Sequence, residues 1–158
     1  MRSTVLLHGE ARNVLTEAYY VSNHELGDEA REASRRCYDF AVRYGDLLFD
    51  RDALDLTRGI TGGLNQEIVV EANVPVATDC EPGSLWVRVV GTKQGLVVHL
   101  IDLSQQEDDL WDAPKKPARP LAGVKLAVER DGAAAPSIAF AHPESPELVA
   151  LESTFDGR

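Results

Sequence analysis

Residues Leu85 to Pro114, LWVRVVGTKQGLVVHLIDLSQQEDDLWDAP, constrain the fold more than any other stretch. Two apolar runs rich in β-formers flank Gly91 to Gly95, the composition of a β-hairpin and its loop. A charged turn follows, and Leu110 with Trp111 reads as its apolar anchor. The chain ahead of this hairpin has a different texture and reads as the closing βα unit of something larger. The sequence therefore predicts a junction between an α/β segment and a β-sandwich.

The α/β reading rests on three elements. Thr4 to His8 (TVLLH) is a short apolar run suited to a buried strand, and Ala18 to Ser22 (AYYVS) is a second extended segment. Asp28 then opens a helix, with Glu29 beside it to complement the positive end of the dipole. Ala30, Ala33, Cys37, Phe40, Ala41 and Tyr44 recur every three or four residues and form one apolar stripe. Glu32 with Arg36 and Asp39 with Arg43 lie one turn apart on the polar side, and Gly45 is the expected residue just past the helix end. Two strands and one helix do not cover both faces of a parallel sheet, so their neighbours are expected upstream of Met1.

After Thr57 no helical period returns. Thr61-Gly62-Gly63 punctuates the chain, and Ile68 to Val70, Leu85 to Val90 and Leu96 to Leu103 are strand-like. Pro114 to Pro120 (PKKPARP) is a stiff crossing. Leu121 to Glu129 alternates with Val124, Leu126 and Val128 on one face. Arg130-Asp131-Gly132 is a turn, and Ser137 to Ala141 and Leu148 to Glu152 are further strands. This spacing predicts a β-sandwich. The chain stops at Asp156-Gly157-Arg158, a hairpin-turn signal with no returning strand, which reads as a second truncation.

Charge and chemistry narrow the function classes. Asp and Glu total 26 against 16 Lys and Arg, a formal net charge of -10. That argues against nucleic acid and anionic membranes, where binding rests on clustered basic residues. No apolar run approaches the ~18 residues of a membrane span. The N-terminal residues lack a signal peptide's apolar core and cleavage site. Cys37 and Cys80 sit in different contexts, form no CxxC motif and read as two free thiols. His8, His24, His99 and His142 have no ligand spacing, so neither a metal nor a cofactor is expected. His99 reads as a strand's outward face. Glu107, Asp108, Asp109 and Asp112 lack the calcium-loop pattern and read as a solvated turn. Trp86 reads as core packing, and no phosphate loop or nucleophile elbow is present.

Four blocks in order resemble one known family. They are LTEAYYVSNHEL (Leu15 to Leu26), YDFAVRYGDLLFD (Tyr38 to Asp50), TGGLNQEI (Thr61 to Ile68) and LWVRVV...GLVVHLIDLS...DDLWDAP from Leu85. Their order and spacing resemble glycoside hydrolase family 66, the dextranases and cycloisomaltooligosaccharide glucanotransferases. The resemblance implies a (β/α)8 barrel followed by a β-sandwich. Residues 1–57 would be the barrel's C-terminal end, carrying its last βα unit. Residues 58–158 would be an incomplete β-sandwich. It further implies cleavage of α-1,6-glucosidic links with retention by a carboxylate pair. That pair is placed on earlier barrel strands, so no residue here is expected to be catalytic. The implied partners are an α-glucan polysaccharide and the remainder of the barrel.

Within that frame Tyr19, Tyr20, Asn23, His24 and Glu25 are the candidate substrate-binding residues. They fall between a strand and a capped helix, where a barrel's βα loops line the active site. Tyrosine faces stack on sugar rings, while Asn, His and Glu bond hydroxyls. The competing reading is loop anchoring, with packed tyrosines and a solvated Glu25. Glu10, Glu17 and Glu25 are close in sequence, but spacing gives no evidence that any two form a retaining pair. Two function classes follow. One is the C-terminal part of a dextran-active hydrolase or glucanotransferase lacking the carboxylate pair. The alternative is a non-catalytic carbohydrate-binding or interaction module.

Overall fold

The computed structural model describes residues 28–59, 63–108, 116, 119–129 and 137–154. The expected strands Thr4 to His8 and Ala18 to Ser22, the turn at Arg130 and the anchor Trp111 lie outside the described residues. The chain divides into two compact units. One takes Met1–Asp50 with Gly132–Gly157, and the other takes Arg51–Asp131 with Arg158. The expected domains, 1–57 and 58–158, follow chain order, whereas these units group a C-terminal hairpin with the helix.

In the first unit, helix α1 spans Asp28–Arg43, with Asp28 and Glu29 in its first turn and Arg43 in its last. Those charges oppose the helix dipole at both ends. The buried stripe forms as the period predicts: Ala33 and Ala41 are buried, and Cys37 and Phe40 half-buried. The polar face pairs differently. Arg35 bonds Glu32 and Asp39, each at 2.9 Å, in place of the expected Glu32–Arg36 and Asp39–Arg43 pairs. One guanidinium fork reaches back three residues and forward four, so it serves both carboxylates. Arg43 instead meets Glu147 at 2.7 Å.

Gly45 does not end the helix in a left-handed cap. Tyr44 breaks the helix with φ −109° and ψ 24°, and a short α2 continues over Gly45–Leu48. Its amides keep the helical ladder, Leu48 N–H donating to Tyr44 O and Phe49 N–H to Gly45 O. With those carbonyls already served, a left-handed glycine is not needed.

The same unit contains a hairpin of β7 (Ile138–His142) and β8 (Ser145–Leu151). Its register pairs Ile138 with Leu151, Phe140 with Val149 and His142 with Ser145, with an irregularity between Phe140 and His142. β8 starts earlier than the sequence predicts and takes in Pro146, which is tolerated in a strand that is not central. The Tyr44 hydroxyl donates to the Pro146 carbonyl, and Phe40 supports the Tyr44 ring with centroids 4.8 Å apart. The C-terminal end of α1 thus holds the turn end of the hairpin.

The second unit is built around β4 (Leu85–Thr92). β5 (Gly95–Asp102) pairs with it antiparallel along its whole length, Leu85 opposite Asp102 and Thr92 opposite Gly95. The other edge of β4 is shared. β3 (Val76–Ala77) runs parallel beside Leu85 and Trp86, and β1 (Leu54–Asp55) antiparallel beside Val90 and Gly91. The hairpin loop is tighter than Gly91 to Gly95, since only Lys93 and Gln94 lie outside the strands. Thr92 Oγ1 accepts the Gln94 amide at 3.2 Å and donates to the Gly95 carbonyl at 2.9 Å. Gly95 has φ +143°, which favours glycine. Gly91 is small for another reason: a Cβ there would lie 3.0 Å from Leu56 Cδ1.

A second small sheet pairs β2 (Ile68–Glu71) with β6 (Lys125–Val128), Val70 opposite Leu126. Its inner residues Ile68 and Val70 pack on Leu85, Val87 and Val89, with Leu121, Val124 and Leu126 closing the rim. Val87 and Val89 are 0% exposed. Two sheets facing across one apolar layer form a β-sandwich, as the alternation predicts. The other face of β4 is also covered, for Trp86 and Val90 are buried. That is why LWVRVV is almost continuously apolar rather than alternating.

Candidate functional site

Tyr19, Tyr20, Asn23, His24 and Glu25 lie outside the described residues, as do Glu10 and Glu17. The described chain resumes directly after them at α1. Its first turn presents Asp28 and Glu29, both exposed, at the positive end of the helix. Three of the remaining candidate side chains sit on strands and a fourth group on the acidic turn, and each can be followed to its partners.

Trp86 is a core residue. It is 7% exposed, and its Nε1–H donates to the Thr78 carbonyl at 3.1 Å. The indole is spent on holding the segment before β4 and offers no face to a sugar. His99 lies on the β5 face opposite core-packed Val98, as its neighbours suggest, but it is half-buried there. It stands opposite Arg88 across the β4–β5 pair, on the face shared with buried Trp86, Val90 and Ile101. Burial first, and then the positive charge of Arg88, push its pKa from 6.5 down to about 4. It is therefore a neutral imidazole across the physiological range. His142 accepts the Glu144 amide on Nδ1 at 3.2 Å, which leaves Nε2 as the donor nitrogen.

Of the acidic turn, Glu107 and Asp108 are among the described residues. Asp102 accepts the Ser104 amide at 2.9 Å, and Lys116 bonds Glu107. Among the described residues no three His, Cys, Asp or Glu side chains come together as a metal site. Cys37 is half-buried and Cys80 exposed, and the two do not form a disulfide. Among the described residues no helix is long and apolar enough to cross a membrane.

Asp52 pairs with Lys93, Asp79 with Arg58, Asp55 with Arg88 at 3.7 Å and Glu71 with Lys125 at 3.6 Å. Glu32 and Asp55 are both held below their ordinary values. The Arg35 hydrogen bond holds Glu32 down. Partial burial tends to raise Asp55, but hydrogen bonds from Thr57 and the charges of Arg88 and Arg58 outweigh it. A general acid needs the opposite, a carboxyl raised by an apolar pocket. These paired acids act as counterions within the fold.

One feature escaped the sequence reading. Phe140 and His142 lie two apart on β7, their ring centroids 5.7 Å from one another, and Phe140 is 46% exposed. The signal was present, since residues two apart on a strand share a face.

Residues 3–154 match the model of glycosyl hydrolase family 66. The chain belongs to glycosyl hydrolase family 66. The match takes in all four sequence blocks, so the order and spacing that suggested the family were sound. The family 66 fold is matched as well in the crystal structure of a Paenibacillus sp. cycloisomaltooligosaccharide glucanotransferase complexed with cycloisomaltoheptaose. The TM-score is 0.67 at 24% identity, covering 81% of this chain and 18% of that chain. At that identity the likeness speaks to fold alone. This family 66 chain thus corresponds to less than a fifth of the glucanotransferase. Among curated proteins none matches it significantly.

Proposed function

We propose that this chain is the C-terminal part of a family 66 enzyme that hydrolyses or transglycosylates α-1,6-glucan. Residues 1–57 form the C-terminal end of its (β/α)8 barrel, and the β-sandwich of residues 58–158 follows. The reading is carried by the family match over residues 3–154. It is supported by the structural likeness to a glucanotransferase whose complex holds a cyclic isomaltooligosaccharide.

In this reading the carboxylate pair lies outside these residues, in the larger part of the enzyme. The chain contributes one wall of the glucan cleft through Tyr19, Tyr20, Asn23, His24 and Glu25. The tyrosine rings stack on glucose faces while the polar groups bond hydroxyls. Glu25 serves there as a hydrogen-bond acceptor, not as nucleophile or acid.

The test is reducing-end release from dextran by the purified chain beside a Glu25→Gln variant, with isomaltooligosaccharide binding by calorimetry on the same samples. The proposal expects no release from either, and binding that a Tyr19→Ala/Tyr20→Ala variant loses. Release that Glu25→Gln abolishes would place the chemistry in this chain and overturn the reading. Binding that survives loss of both tyrosines would move the sugar contact to the β-sandwich and favour a carbohydrate-binding module.

A further inference from the structure

We draw no further inference here: the strongest candidate, the half-exposed apolar face that Ile138, Phe140, Val149 and Leu151 form on the β7–β8 hairpin, carries none because nothing in the structure shows what covers it.

Discussion

Acid should weaken the β4–β5 pair through one residue, His99. Its imidazole is held neutral in the fold by burial and by Arg88 directly across the ladder. In the unfolded chain it titrates near its ordinary 6.5, and in the folded chain near 4. Above the unfolded value neither state binds the proton, so the site adds no pH dependence. As pH falls from 6.5 toward 4 the unfolded state takes up a proton that the folded state refuses, and stability falls. Below about 4 both states are protonated and the loss levels off. Linkage over that interval gives about 2–2.5 kcal/mol between about pH 7.5 and about pH 4.5, the lower figure allowing for the partial exposure of the ring. The assay is urea unfolding followed by circular dichroism at several pH values, for the wild type and His99→Leu. Leucine is close in size and suits a strand, so the variant should stay within about 1 kcal/mol of wild type near neutrality. Both proteins lose stability in acid through shared carboxylates, but the wild type should lose the extra amount. A proton NMR titration of His99 gives the same quantity directly. Parallel pH profiles for the two proteins, or a His99 titration near 6.5, would refute the reasoning.

Three further outcomes are expected. Thr57→Val keeps the shape of a buried residue but removes the hydroxyl that accepts from Val89 N–H at 2.9 Å and donates to its carbonyl at 3.2 Å. The carbonyl keeps the Leu56 amide, whereas the Val89 N–H is orphaned. A loss of about 1–3 kcal/mol in urea unfolding is expected, with Thr57→Ser recovering most of it. Val87→Ala opens a cavity at a 0% exposed site facing Ile68 and Val70, and should cost about 2–3 kcal/mol by the same measurement. Gly95→Ala meets no neighbour within 4 Å, so its effect isolates backbone strain at φ +143°. A lowered thermal midpoint corresponding to about 1 kcal/mol or more is expected, and an unchanged midpoint would show that the turn relaxes freely.

Legibility followed the length of the pattern. The β4–β5 hairpin and α1 each carry enough repeats of their own period to be read from the residues. β2 and β6 were found as apolar runs, although their pairing with one another, across more than fifty intervening residues, was not. β1 and β3 have two residues each and no pattern of their own; they are strands because β4 offers them an edge. The Arg35 bridge was missed because two pairs at equal spacing compete, and only side-chain reach decides between them. His99 shows the limit most plainly. Alternation places a residue on a face, but whether that face meets water depends on what packs over it. For the site, the sequence named loop residues from a family pattern, and local periodicity has nothing to add there. For Trp86 it was sufficient, because an indole inside a continuous apolar run has nowhere to go but the core.

The shared edge of β4 has a consequence for how the unit is made. Leu54, Asp55, Val76 and Ala77 all find their backbone partners on a strand that follows them in the chain. Synthesis runs from the N-terminus, so these segments leave the ribosome before the strand that receives them exists. Even the Thr57 hydroxyl waits for Val89. Leu54, Asp55, Val76 and Ala77 therefore wait for Leu85 to Asp102, and Ile68 to Glu71 wait longer still, for Lys125 to Val128. Asp55, Glu67 and Glu71 are spaced through the interval from Leu54 to Ala77, and charged side chains favour solvation of a chain not yet folded.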